Sequence, residues 1–173
     1  MRRRRELISM LNSFNSILTL LIEALRIGTN NLFVAYDKDV YIFLSNRPIE
    51  RIPEKPPDTA LLEIDGSIVL TLRSPVKRDF LQETHGVCEA IEYTLVELFD
   101  LAESVECLER EKDYIVKIDG YGISEPQRLL HSFGGLSGVI IGSIVSLAIN
   151  KRVSVSAVEM GESARIIRVF QID

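Results

Sequence analysis

The chain has 173 residues, of which 46% are hydrophobic, and its formal net charge is −5 at pH 7. This length fits one domain with a hydrophobic core of its own, and the negative charge argues against nucleic acid as the main partner, because phosphate binding needs a basic surface. The large hydrophobic share predicts a second apolar surface beyond the core, either a dimer interface or an apolar pocket.

Four arginines, Arg2 to Arg5, stand at the start of the chain. They could contact RNA or an anionic membrane, but a solvated tail is the simpler interpretation. Polar residues interrupt the apolar run that follows, and no clear small-residue cleavage site comes after it, which argues against a signal peptide. The two cysteines, Cys88 and Cys107, are too few for a secreted disulfide framework and indicate a reducing, cytoplasmic location. They could pair only if the fold brings their Cα atoms within about 7 Å.

The first part of the chain predicts one helix and two β-hairpins. Apolar residues at helical spacing predict a helix over 6–27, and its wide apolar surface indicates burial on two sides, the second by a partner subunit. Alternating apolar residues predict a hairpin over 32–44. The Asp65-Gly66 turn predicts another over 61–72. The proline-rich segment 47–58 is expected to be a plain surface linker, and a peptide ligand for an aromatic groove is the alternative.

The second part predicts helices and hairpins in alternation. Ser74-Pro75 is typical of a helix start and predicts a helix over 76–101, which Gly86 kinks or splits. The elements expected after it are strands over 104–108 and 114–118, a short helix from 124 to Phe133, a central helix over 134–150, and strands over 152–159 and 164–172. Together these elements predict an α+β fold, in which long helices cover an antiparallel sheet. We expect one domain over 1–173, whose N-terminal helix and hairpins (1–73) extend or cap a ligand-binding-like core (74–173).

The uncharged central helix is the most informative element. Its small residues recur at every fourth position, and these are Gly134, Gly138, Gly142 and Ser146. Such a stripe lets another backbone approach closely. It predicts close packing on the helix's own sheet or on helix 76–101, and the alternative is that it leaves space for an apolar ligand or a partner's helix. The run approaches the length of a membrane span, but amphipathic strands follow at once, so a buried helix is expected.

The C-terminal pattern resembles a known family. The residues that carry the resemblance are Glu97-Leu98-Phe99, Tyr114-Ile115-Val116, Gly134 to Ile140, Val153-Ser154-Val155, Met160-Gly161-Glu162 and Ile166 to Val169. Their order is similar to the ligand-binding domain shared by the 4-vinyl-reductase-like (V4R) proteins and the small subunits of the transport protein particle (TRAPP) tethering complex. The resemblance covers 80–173 and implies a ββαββ unit with an apolar ligand site.

The chain departs from that family in its cysteines. The V4R branch often has cysteines beside the last hairpin turn, where this chain has Ala157 and Ala164. A metal or thiol role at that turn is therefore not expected. Some TRAPP subunits carry an acylated cysteine on a helix that borders an apolar tunnel, and Cys88 lies in a comparable predicted helix.

No group of residues in the sequence identifies a reaction. His85 and Cys88 are three residues apart on one predicted helix and could share a metal ion, with Cys107 and His131 as the other possible ligands. The same residues could form a Cys–His nucleophile pair. Because free cysteines are usually buried and structural, small core residues are the simpler interpretation. We therefore predict no catalytic residue, no metal site and no cofactor.

These features predict a non-enzymatic binding or scaffold protein that forms a homodimer. Its hydrophobic pocket would lie between the two main helices and would hold an apolar small molecule or an acyl chain, gaining about 0.8 kcal/mol for each buried CH₂ group. The expected pocket wall consists of Leu95, Phe99, Ile140, Ile144 and Leu147. The alternative is an enzyme or a sensor of a small hydrophobic metabolite such as a tetrapyrrole, and polar groups that converge near His85 or His131 would favour it.

Overall fold

A computed structural model describes residues 2–27, 30–81, 84–161 and 164–173, with the backbone alone for 2–12, 14 and 160. The strands are β1 (Asn30–Tyr36), β2 (Asp39–Ser45), β3 (Leu61–Ile64), β4 (Ser67–Lys77), β5 (Ser104–Glu109), β6 (Asp113–Asp119), β7 (Val153–Met160) and β8 (Ala164–Gln171). The α-helices are α1 (Arg2–Leu25), α2 (Val87–Glu92), α3 (Gln127–Phe133) and α4 (Gly135–Ile149). The fold is α+β, as predicted.

All eight strands belong to one antiparallel sheet, in the order β3-β4-β2-β1-β7-β8-β6-β5. The N-terminal hairpins therefore extend the sheet, and they meet the C-terminal strands where β1 pairs with β7. The turns follow local chemistry, since Asp65 and Gly66 both have positive φ (50° and 74°), as a tight hairpin turn requires.

Helix α4 is the spine of the core. It packs across one face of the sheet against β1, β2, β4, β7 and β8, and every residue from Gly135 to Leu147 is buried. The run Gln127–Ile149 is long and apolar enough to cross a membrane by length and composition, but 83% of its most apolar window is buried inside the protein. This burial confirms the prediction of a core helix.

The proline-rich segment covers part of the opposite face of the sheet. Ile49 and Ile52 pack against an apolar cluster, and the Tyr36 hydroxyl donates a 2.7 Å hydrogen bond to the Pro53 carbonyl. The buried members of that cluster are Leu32, Val34, Phe43 and Val69. The segment is therefore an irregular surface connection, as predicted, but it is not a plain linker, because isoleucines between the prolines cover apolar strand residues.

The predicted helix over 76–101 is wrong in its first part. Strand β4 continues through Pro75 to Lys77, and the register with β2 jumps so that 74–76 of β4 oppose Val40 alone. Proline is tolerated at such a bulge because no ladder hydrogen bond needs its N–H. A short 3-10 helix, Arg78–Leu81, follows β4, and α-helical structure begins after Gly86 as α2 and continues as a π-helical turn, Tyr93–Leu98. The prediction that Gly86 splits the segment is correct.

Candidate functional site

A buried ion pair lies where the first residues of β8 meet the loop that precedes α3. The Arg165 and Glu125 side chains are 3% and 0% exposed. One terminal nitrogen of Arg165 donates to a Glu125 carboxylate oxygen and, at 3.3 Å, to the Ser137 hydroxyl, while the other donates to the Ile123 carbonyl at 3.1 Å. The guanidinium is therefore fixed in orientation as well as neutralised in charge.

The second oxygen of the Glu125 carboxylate connects two helices to this pair. It accepts hydrogen bonds from the Leu136 backbone N–H at 2.6 Å and from the Asn15 side-chain amide at 3.3 Å. Leu136 lies in the first turn of α4, where backbone N–H groups lack helical acceptors and a carboxylate is favoured. Gly135 permits this approach, because an added Cβ there would lie 2.7 Å from both carboxylate oxygens. Helices α1 and α4 and strand β8 thus meet at one carboxylate.

The Arg165 guanidinium also stacks on an aromatic ring. Its Cζ atom lies 3.7 Å from the centroid of the Tyr121 ring, which is a cation–π arrangement.

Two buried atoms of this stack, the Tyr121 hydroxyl oxygen and Arg165 Nε, have no hydrogen-bond partner in the described part of the chain. The Ser137 hydroxyl and the Glu125 carboxylate are near enough to influence the Tyr121 hydroxyl, but neither meets hydrogen-bond geometry with it. Burial, followed by the charge of Glu125, raises the pKa of Tyr121, so the hydroxyl stays protonated at neutral pH and can donate.

The stack forms one wall of an open cleft of about 590 Å³. The cleft is completed by the loop 122–125, by Gln127, Leu130 and His131 of α3, and by Gly161 at the β7–β8 turn. This volume falls within the range of roughly 300–1,000 Å³ that is typical of small-molecule sites. The cleft therefore brings together an aromatic ring, a buried cation, an amide and an imidazole.

The pocket wall predicted from the sequence lies elsewhere. Four of its five residues are fully buried in the main core, and these are Leu95, Ile140, Ile144 and Leu147. Phe99 is half-buried, with its ring edge-on to Phe80 at 5.9 Å between centroids. Of the five, Leu147 also lines a second cleft, of about 370 Å³, together with Leu81 and Val87.

The stripe of small residues on α4 faces the sheet of the same chain. An added Cβ at Gly142 would lie 2.6 Å from Cγ2 of Val155 and 3.0 Å from the Phe33 ring. At Gly138 it would lie 1.7 Å from the Phe133 carbonyl oxygen at the end of α3 and 3.3 Å from Cγ1 of Val155. The Ser146 hydroxyl donates to the Phe33 carbonyl at 3.3 Å. Gly134, the first residue of the stripe, has φ +78° and separates α3 from α4.

The two cysteines are bonded to each other. Cys88 of α2 and Cys107 of β5 form a disulfide with a Cα–Cα distance of 5.4 Å. The interpretation of two separate core thiols is therefore wrong, and neither sulfur is free for the metal site or the nucleophile pair considered from the sequence. Within the described ranges, no three His, Cys, Asp or Glu side chains are grouped to hold a metal ion. The cytoplasmic location stays a prediction.

Sequence reasoning missed Tyr121, Glu125 and Arg165. The available signal was strand parity, because Arg165 shares the inward-facing positions of β8 with Ile167 and Val169. An arginine at such a position requires a buried partner. Glu125 was missed because Ser124-Glu125-Pro126 has the pattern of a helix start, which assigned Glu125 to the beginning of a helix. In the structure the N-cap of α3 is Pro126, and no side chain caps the helix.

Comparison with known proteins gives no identification, since no family model, curated protein or solved structure matches this chain. The resemblance to the V4R and TRAPP proteins therefore stays a prediction from the sequence pattern. The function has to be argued from the cleft and from the exposed surface.

Proposed function

We propose that the protein is a non-enzymatic binding protein for a small molecule, which it holds in the cleft beside Tyr121 and Arg165. The observation that carries this proposal is the pair of buried, unpartnered polar atoms in the cleft wall. A buried polar group without a partner costs about 1–3 kcal/mol. A ligand that hydrogen-bonds to both atoms would remove that cost on binding.

The geometry favours binding over catalysis because the charged groups are already engaged. Both carboxylate oxygens of Glu125 accept hydrogen bonds, and Arg165 is held by three acceptors. A general base needs a free lone pair within reach of the substrate proton, and three of the roughly four lone-pair positions of the Glu125 carboxylate already accept hydrogen bonds. The fixed guanidinium and ring instead form a rigid surface suited to selecting a ligand.

One observation favours the second candidate, an enzyme or sensor that acts on a small hydrophobic metabolite. His131 lies on the wall of the same cleft as Tyr121, and histidine is the side chain most often used for general acid–base catalysis. His131→Ala distinguishes the two functions. Unchanged ligand affinity with no turnover supports binding alone, whereas loss of a chemical conversion supports the enzyme.

The order of elements supports the family relationship as part of the same proposal. Strands β5 and β6, helices α3 and α4, and strands β7 and β8 follow each other in the chain, and this order differs from the implied ββαββ order in having two helices, divided at Gly134. The four strands are also neighbours in the sheet. A ligand-binding role is therefore consistent with both the sequence pattern and the cleft.

We propose further that the protein is a homodimer formed through α1. Leu18 and Ile22 of this helix face the core, while Ile17, Leu20 and Leu21 are 60%, 65% and 38% exposed. These three exposed residues, at i, i+3 and i+4, form an apolar stripe on the outer side of the helix. Antiparallel pairing of two copies about a twofold axis would bury both stripes.

Native mass spectrometry of gently purified protein tests ligand binding. We expect a mass in excess of the chain that disappears on denaturation and that is reduced in Tyr121→Phe. The matched control is Tyr114→Phe, because the Tyr114 hydroxyl bonds Glu109 away from the cleft. A protein that carries no small molecule, and whose cleft stays unoccupied in a fragment screen, would contradict the proposal.

Sedimentation analysis tests the dimer separately. Leu20→Glu places a charge in the middle of the exposed stripe and should convert a dimer to a monomer without unfolding it. Glu63→Ala, a surface change on β3, serves as the control. A wild-type protein that is monomeric at micromolar concentration would contradict the dimer proposal while leaving the ligand proposal in place.

A further inference from the structure

We infer that the ligand is an acid, whose carboxylate or phosphate oxygens accept hydrogen bonds from the Tyr121 hydroxyl and from Arg165 Nε. This inference rests on the proposed binding function and specifies the chemistry of its ligand. Tyr121 and Arg165, the residues that carry the two unpartnered atoms, both line one cleft, and the whole residues are 5% and 2% exposed.

Both atoms are hydrogen-bond donors, so the missing partner is an acceptor. Arg165 Nε carries a hydrogen and has no acceptor capacity, and the other guanidinium nitrogens already donate to Glu125, Ser137 and Ile123. The Tyr121 hydroxyl is kept protonated by its buried setting. The guanidinium lies over the ring at 3.7 Å, so the two donors belong to one compact unit. A carboxylate or phosphate has several acceptor oxygens and can bond to both.

The charge balance of the cleft favours an anionic acceptor over a neutral one. Glu125 offsets the charge of Arg165, and the N-terminal end of α4 adds partial positive charge beside that carboxylate. Glu125 is the one carboxylate among the described residues of the lining. Because hydrogen bonds between ionised partners are roughly twice as strong as neutral ones, an acid should be preferred to its amide.

The cleft is also larger than an acidic group alone requires. Its volume is about 590 Å³, and Leu130 and Ile123 contribute apolar surface to its wall. Acceptor oxygens on the stack would leave the remaining space to an aromatic or aliphatic body. The geometry therefore points to a small organic acid whose body would lie beside Leu130 and Ile123 and the polar residues Ser124 and Gln127 of the same lining.

Nuclear magnetic resonance titration of the ¹⁵N-labelled full chain tests this inference with matched probes. The probes are benzoate against benzamide, octanoate against octanamide, and inorganic phosphate alone. We expect the two acids to shift the backbone amide signals of Gly122, Leu130 and Gly161 in a saturable manner. The matching amides should bind at least about tenfold more weakly, because their carbonyl oxygen carries no negative charge to strengthen the hydrogen bond from the Tyr121 hydroxyl or to attract the Arg165 guanidinium.

Two tyrosine variants locate the interaction. Tyr121→Phe keeps the ring and removes one donor, and it should weaken acid binding by about tenfold. It removes an unpartnered hydroxyl, so the variant is expected to fold. Tyr114→Phe, which alters a hydroxyl bonded to Glu109, should bind the acids as the wild-type protein does.

The outcomes separate this inference from the function on which it rests. Acids and amides that bind the cleft with equal affinity would overturn the acid assignment and leave the binding function standing. If inorganic phosphate binds and the organic acids do not, the ligand would still be an oxyanion, but the proposal that it has an organic body would be wrong. Tyr121→Phe with wild-type acid affinity would overturn the role of its hydroxyl. Cleft signals that respond to none of the probes would overturn the inference, and native mass spectrometry would still decide the binding function.

Discussion

The side-chain amide of Asn31 takes the place of a backbone peptide against Val155. Its Nδ2 donates to the Val155 carbonyl at 2.8 Å, and its Oδ1 accepts from the Val155 N–H at 2.8 Å. Asn31 lies in β1 and Val155 lies in β7, the two strands that join the N-terminal and C-terminal halves of the sheet. Directly beside this contact, Phe33 and Val153 form a registered strand pair. One side chain therefore links β1 to β7 at the junction of the two halves of the sheet, which we call the seam.

We expect Asn31→Ala to lower the free energy of unfolding by about 2–4 kcal/mol, because it leaves two buried backbone groups of Val155 without partners. Urea unfolding monitored by circular dichroism measures the change. Ser154→Ala is the matched control, since it removes only a 3.2 Å contact to the same amide, and it should cost much less. Equal unfolding midpoints for wild type and Asn31→Ala would show that the amide does not hold the seam.

The hairpins could be predicted because their signals are local. Asp65-Gly66 sets a tight turn, and the alternation of apolar residues sets the strand faces. The break at Gly134 is local as well, since a glycine with φ +78° ends α3. These elements needed no knowledge of distant parts of the chain.

The remaining features depend on contacts that are distant in sequence. Pro75 continues a strand only because it lies in a bulge of β4, where 74–76 oppose the single β2 residue Val40. Glu125 acquires its role from Arg165, which lies 40 residues later. The cleft forms where the loop 122–125, α3 and the β7–β8 turn converge, and no periodicity in any one of them indicates that meeting.

The buried ion pair should be strongly coupled. Arg165→Met leaves the Glu125 carboxylate buried without its counter-charge, and we expect a loss of about 3–5 kcal/mol in unfolding free energy. Adding Glu125→Gln neutralises that carboxylate while keeping an oxygen for the Leu136 N–H, so the double variant should recover part of the loss. Denaturant unfolding of the four proteins gives the coupling energy. Strictly additive losses would mean that the two charges do not stabilise each other.

The approach of α4 to the sheet should be sensitive to a single methyl group. Gly142→Ala places a Cβ 2.6 Å from Cγ2 of Val155, and overpacking of this kind costs about 1–3 kcal/mol. Val155→Ala removes the opposing methyl groups, so the double variant should be less destabilised than the sum of the two single changes. Gly86→Ala is the control, because an added Cβ there meets no atom within 4 Å. A neutral Gly142→Ala would show that the helix and the sheet are not in close contact.

Stability should fall in alkaline solution because several tyrosines resist ionisation in the folded chain. Burial and then the hydrogen bond to Glu109 raise the pKa of Tyr114 to about 12, and burial also raises the pKa values of Tyr121 and Tyr36. An unfolded tyrosine ionises near pH 10, or about 2 pH units earlier than folded Tyr114. The unfolded chain therefore loses protons first as the pH rises, which favours unfolding. The stabilisation is complete below about pH 10 and declines as the pH approaches 12.

Urea midpoints at pH 8, 10 and 11, with the disulfide kept oxidised, measure this decline, and Tyr114→Phe should make it shallower. A midpoint that is constant over this range, or the same slope in the variant, would contradict the assignment.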